Sequence, residues 1–148
     1  MFETCLYKII NKSKADSYEK EVSLKQLQDE KDFWVREYGV FGVILDNVLI
    51  DNDLGDILKK YIPEQIQLFP CNVMRRSTNE IWENYSVLEL YNDLTLEDFH
   101  RPATDFEGLK IFWFMENIYI NRELKNIIEK YFKKVDELEF DNHYPFIG

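Results

Sequence analysis

The alternation of apolar and polar positions over residues 41–62 recurs over residues 111–132 at a constant offset of seventy. Each stretch opens with an apolar run, Phe41-Gly42-Val43-Ile44-Leu45 or Ile111-Phe112-Trp113-Phe114-Met115. A polar pair follows, Asp46-Asn47 or Glu116-Asn117, and then a second apolar run, Val48-Leu49-Ile50 or Ile118-Tyr119-Ile120. Two short apolar runs around two turn-forming residues predict a tight β-hairpin. Beyond it, Leu54, Ile57, Leu58, Tyr61 and Ile62, and equally Leu124, Ile127, Ile128, Tyr131 and Phe132, fall at i, i+3, i+4, i+7 and i+8. That spacing lines one face of a helix. Six positions are identical between the stretches: Asn47/Asn117, Ile50/Ile120, Leu54/Leu124, Ile57/Ile127, Lys60/Lys130 and Tyr61/Tyr131. Asp46/Glu116, Val48/Ile118, Asp53/Glu123 and Leu58/Ile128 keep their chemistry, so the pattern reads as a duplicated unit.

Both helices carry boundary signals. Asp51 or Asn52 is placed to cap the first and Asn121 the second, each accepting from otherwise unpaired backbone N–H groups. Asp53 complements the positive end of the first helix, and Lys130, Lys133 and Lys134 gather at the negative end of the second. Pro63 stops the first helix, because the residue before a proline avoids helical geometry. Further strands are expected at Phe2–Ile10, at Ile66–Phe69 continuing past Pro70 to Val73, within Glu80–Tyr91, and at Leu138–Phe140. Val22–Leu24 and Phe33–Val35 are shorter candidates, and Asn11–Ser17 is a polar loop. Neither unit can bury a sheet face and a helix stripe alone. The expectation is a single α+β domain over residues 1–148, with repeat units at approximately 41–73 and 111–140. Its two helices would pack on one shared sheet, mixed or mostly antiparallel.

Composition adds a partner class. The 148 residues are 45% apolar and carry a net charge of −10. Eleven Phe, nine Tyr and three Trp exceed the needs of a small core and leave aromatic surface for a partner. Excess negative charge disfavours a phosphate backbone and steers a basic protein inward. Cys5 and Cys71 lack the paired spacing of a zinc or redox motif and read as reduced thiols. The amino-terminal residues lack a secretory pattern and no apolar run reaches membrane-spanning length, so cytoplasmic residence without membrane insertion is expected.

Catalytic signatures are sparse. Neither G-x-x-x-x-G-K-[ST] nor G-x-G-x-x-G occurs, and Tyr38-Gly39-Val40-Phe41-Gly42 reads as a turn between strands. Asp51-Asn52-Asp53-Leu54-Gly55-Asp56 resembles the opening of a calcium loop. Its glycine comes one position early, however, and Ile62 stands where a bidentate acid is required. His100 and His143 lack metal-ligand spacing, and no nucleophile elbow is present. No catalytic residue, cofactor or metal is therefore assigned. The stretch Asn92–Gly108 stands out physically: Asp93, Glu97, Asp98, Asp105 and Glu107 face one Arg101, and Phe99 and Phe106 lie among them. Aromatic anchors in an acidic rim suit a basic protein surface, so these seven residues are the candidate binding set. The competing structural reading has both phenylalanines tucked back onto the sheet.

Four segments together carry a family resemblance: Val48 through Pro63, Ile66-Gln67-Leu68-Phe69-Pro70, Tyr85-Ser86-Val87-Leu88-Glu89-Leu90-Tyr91-Asn92, and Lys110 through Phe140. In this order they resemble bacterial immunity proteins of polymorphic toxin systems, immunity protein family eleven and its relatives such as family forty-three. The resemblance implies a small cytosolic protein that binds and neutralises a cognate toxin without turnover, and the chain is expected to be monomeric or weakly self-associating. The residues leave two alternatives open, a small carboxylate-dependent hydrolase and a structural or adaptor domain that assembles through a sheet edge.

Overall fold

The structure is a computed structural model that describes the backbone of residues 3–11, 19–23, 32–36, 41–44, 47–75 and 81–145, and the side chains of residues 3–10, 48–71 and 83–145. The described elements are β1 Glu3–Asn11, β2 Glu19–Ser23, β3 Asp32–Arg36, β4 Phe41–Ile44, β5 Asn47–Asp51, α1 Asn52–Tyr61, β6 Ile66–Arg75, β7 Ile81–Leu90, β8 Ile111–Phe114, β9 Asn117–Asn121, α2 Arg122–Tyr131 and β10 Leu138–His143. They form an α+β fold. The loop expected at 11–17 lies outside the described residues beyond Asn11, as does Leu24. The expected strand regions around Val22 and Phe33 are β2 and β3.

The repeat holds in strand register and in helix bounds. β4 pairs with β5 through Phe41↔Ile50 to Ile44↔Asn47, and β8 with β9 through Ile111↔Ile120 to Phe114↔Asn117, the same register seventy positions on. Asp51 caps α1 by accepting from the Asp53 N–H at 2.8 Å, and Asn121 caps α2 by accepting from the Leu124 N–H at 3.2 Å. Each cap is worth about 1 kcal/mol.

The units do not share one sheet, as the apolar pattern alone suggested. Two antiparallel sheets form, with orders β3-β2-β6-β7-β5-β4 and β10-β1-β9-β8. Within them lies a second correspondence. Val87 of β7 stands between Leu49 of β5 and Phe69 of β6, and Lys8 of β1 stands between Tyr119 of β9 and Asp141 of β10. β1 therefore does for the second unit what β7 does for the first, although it precedes both units in sequence. The post-helix strands differ in offset by two residues, and a 3-10 turn at Val135–Glu137 precedes β10.

What the units share is a core. Ile50, Leu54, Leu58, Ile62, Ile66 and Leu88 from the first join Ile9, Ile120, Leu124, Ile128, Phe132 and Leu138 from the second in one buried cluster. Burying each such side chain contributes roughly 1.5–3 kcal/mol. Among the described residues, polar side chains also cross between the units. The buried Asp51 carboxylate accepts from Lys134 Nζ at 3.0 Å. Gln65, also buried, donates from Nε2 to the Leu109 carbonyl at 2.6 Å, while its Oε1 accepts from the Ile111 N–H at 3.1 Å.

The β8–β9 turn is Met115–Glu116, one position earlier than the polar pair suggested, and its equivalent in the first unit lies outside the described residues. Met115 and Glu116 have φ of 46° and 62°. Two consecutive left-handed residues in a two-residue loop define the turn that asparagine and glycine favour, and side chains with a Cβ oppose it. The double substitution Met115→Asn, Glu116→Gly is expected to raise unfolding stability by about 1 kcal/mol in a urea titration. A decrease would show that neighbouring contacts, and not local strain, set the energy of this turn.

An acidic cover on the second sheet

Strand alternation sends Ile111, Ile118 and Ile120 toward the helices and Phe112, Phe114 and Tyr119 toward the opposite face. Residues 91–108 cover that second face. Leaving β7, the chain crosses to the edge of β8: the Trp113 N–H donates to the Asn92 carbonyl at 2.8 Å, and the Leu94 N–H donates to the Trp113 carbonyl at 3.0 Å. A parallel bridge joins Asp93 to Trp113. Asn92 Nδ2 donates to Gln65 Oε1 at 3.1 Å, which ties the crossing to the link between the units.

Two short 3-10 helices follow, Leu96–His100 and Ala103–Phe106. Thr95 and Asp98 form a capping box, in which Asp98 Oδ2 accepts from the Thr95 N–H at 2.7 Å. Arg101 donates to Asp98 at 3.2 Å and to Asp105 at 3.0 Å, and its guanidinium lies 5.2 Å from the centre of the Phe106 ring. The Thr95 N–H, with a lesser contribution from Arg101, holds the Asp98 carboxyl below its ordinary range. Asn121, the cap of α2, fastens the far end by donating to the Phe106 carbonyl at 2.8 Å and to the Gly108 carbonyl. Gly108 has a φ of 82°, a conformation glycine adopts without steric cost.

Phe99 and Phe106 are 4% and 5% exposed. Phe99 packs edge-to-face with Phe114 at 5.1 Å and Tyr119 at 4.9 Å, and Phe106 meets Phe112 at 5.6 Å. Both rings thus act as pegs that fix the cover, which corrects their reading as partner-contacting anchors. Asp93, Glu97, Asp105 and Glu107 are exposed. Asp98 is half-buried and engaged within the cover. Three large apolar side chains here face outward: Tyr91, 52% exposed, whose hydroxyl donates to Gln67 Oε1 at 2.8 Å, and the aliphatic pair Leu96, 41% exposed, and Met115, 58% exposed. Leu96 opens the first 3-10 helix, whose Phe99 rests on Phe114, the residue just before the Met115–Glu116 turn. Leu96 and Met115 therefore occupy the same end of the sheet, with carboxylates of Asp93, Glu97 and Glu116 in the neighbouring chain. The sequence ends an apolar run at Met115 and does not single out Leu96, so the exposure of neither was legible beforehand.

A cavity of about 390 Å³ opens where β1 bulges away from β10, lined in part by Glu3, Cys5, Tyr7, Phe106, Arg122 and Glu123. Arg122 Nη2 donates to the Tyr7 hydroxyl at 3.2 Å across it. Among the described residues the histidines meet Asp141 and Tyr144, with His143 Nδ1 2.6 Å from Asp141 and His100 Nε2 3.1 Å from the Tyr144 hydroxyl. No group of three or more His, Cys, Asp and Glu among the described residues is placed to hold a metal ion. Burial pushes the Cys71 thiol up to about 12, which leaves it almost wholly protonated near neutrality. Among the described residues, no helix is long and apolar enough to cross a membrane. No protein-family model, curated protein or solved structure matches this chain.

Phe99→Ala should cost about 3–5 kcal/mol in chemical denaturation, whereas Glu97→Gln should change stability by less than about 0.5 kcal/mol. Equal effects would contradict the peg assignment. Because the folded-state value of Asp98 is depressed, its stabilisation is complete above the ordinary carboxylate value of 3.8 and is lost as pH falls through the lower folded value. Asp98→Asn should therefore flatten the decline of the thermal midpoint below that pH, and an unchanged acid limb would speak against the capping box.

Proposed function

We propose that this chain is a non-catalytic, cytoplasmic immunity-type protein that binds a basic toxin and neutralises it by occupancy. The observation that carries the reading is exposed Leu96, set among the exposed carboxylates of a cover whose shape is held by buried Phe99 and Phe106, together with exposed Met115 in the β8–β9 turn beside it. An apolar centre with a charged rim is the usual anatomy of a protein-binding surface. Preorganisation lowers the ordering cost of binding, because the capping box, the Arg101 clamp and the Asn121 bonds fix the backbone beforehand. The net charge of −10 accelerates encounter with a basic partner, and the exposed carboxylates orient it. The resemblance of residues 48–140 to immunity proteins supplies the toxin as the partner class. In this scheme Asp93, Glu97, Asp105 and Glu107 act on the partner's charge, while Asp98, Phe99 and Phe106 act on the cover.

Co-expression with the product of the adjacent upstream gene should restore growth that the toxin alone arrests, and the pair should purify as a complex. Replacing both Leu96 and Met115 with Glu is expected to weaken that complex by at least about thirtyfold with folding intact, the size of a typical hot-spot loss. Asp93→Asn with Glu97→Gln should mainly slow association and reduce its salt dependence. A pair that forms no complex, or one indifferent to the Leu96 and Met115 changes, would overturn the proposal.

A further inference from the structure

We propose that the carboxy-terminal ends of α1 and α2 form a second interaction surface, opposite in sign to the cover, that takes an acidic segment of a protein partner. The surface lies on the helix side of the molecule, across the second sheet from residues 91–108. It does not depend on the toxin reading.

Tyr61 and Tyr131, equivalent residues of the two units, stack with ring centres 5.7 Å apart and planes 23° from parallel. Tyr131 is 46% exposed. The ammonium of Lys60 lies 5.3 Å from the Tyr61 ring centre and that of Lys130 lies 5.1 Å from the Tyr131 ring centre. The neighbouring Tyr61 phenol first, and then the Lys130 and Lys60 ammoniums, hold the Tyr131 phenol below its ordinary value. Among the described residues neither lysine forms an ion pair; the cations that do are Arg101, Lys125, Lys134 and His143. Lys59 and Lys133, both exposed, extend the same corner.

The duplication gives a separate reason to read this corner as more than a helix ending. Ile50/Ile120 and Leu54/Leu124 are buried and Ile57/Ile127 are packed against the core, so packing accounts for their identity. Lys60-Tyr61 and Lys130-Tyr131 are repeated where the lysines are exposed, and the core does not demand them. A favourable helix-dipole interaction needs a cation in the last turn and is indifferent to an adjoining tyrosine. Two cations flanking two stacked phenols provide charge, hydroxyl groups and rigid apolar area together, the combination found at interface hot spots. Charge selects the occupant. With a net −10 on the chain, an extended polyanion such as nucleic acid is repelled at long range, while a short run of Asp or Glu on a protein is drawn to this local exception.

The probe is a fluorescein-labelled hexaglutamate peptide, titrated with the full chain at low salt and followed by fluorescence polarisation. Binding that weakens with added salt is expected. Lys60→Glu with Lys130→Glu should lower affinity at least tenfold, while Lys60→Arg with Lys130→Arg should retain it. Lys8→Glu with Lys110→Glu makes an equal change in net charge elsewhere and should also leave binding in place. Should the charge reversals disturb folding, amide spectra of the unaltered chain decide: the peptide should shift Lys60, Tyr61, Lys130 and Tyr131. No binding, equal loss in the Lys8 and Lys110 control, or peptide shifts confined to other residues would each overturn the proposal.

Discussion

Two ten-residue helices, each too short to be stable in water alone, persist because their apolar stripes meet in a single core. Leu54, Leu58 and Ile62 approach it from one side and Leu124, Ile128 and Phe132 from the other, over Ile50 and Ile120 of the two hairpins. Removing either unit would expose the apolar stripe of the other. The polar links follow from this arrangement, since buried Asp51 and Gln65 are satisfied in part by Lys134 and by the backbone at 109 and 111, which the shared core brings alongside.

The same constraint fixes the surface proposed for partner contact. With one face of the second sheet committed to the helices, Leu6, Phe112, Phe114 and Tyr119 on the other face need a separate covering, and residues 91–108 supply it. The cover is thus a structural necessity whose outer side is free for recognition. Its carboxylates are carried on backbone fixed by buried rings and by the cap of α2, so the core and the proposed contact surface are mechanically continuous.

Elements formed by local physics were legible in the sequence. The seventy-residue offset, both helix caps, the stop at Pro63 and the strand crossing Pro70 all follow from short-range preferences, and the structure has each of them. Features set by distant partners were not. That β1 substitutes for β7 depends on which strand fills a gap between β9 and β10, and the alternation within a strand is silent on its neighbours. The hairpin turn fell one residue early because register, and not turn propensity, fixed it at Met115–Glu116. Phe99 and Phe106 lay in an acidic stretch that offered two readings, partner-contacting anchors or rings tucked onto the sheet, and the uncovered face of the second sheet explains why they turn inward. Leu96 and Met115 became conspicuous once those rings were accounted for.

Native-state hydrogen exchange on a Leu124→Ala variant tests the shared core most directly. Leu124 belongs to α2, and its truncation should cost about 2–5 kcal/mol. If the core is common to both units, the slowest amides of α1 lose protection by the same free energy as those of α2. Protection of α1 that stays at its original level while α2 alone loosens would contradict the account.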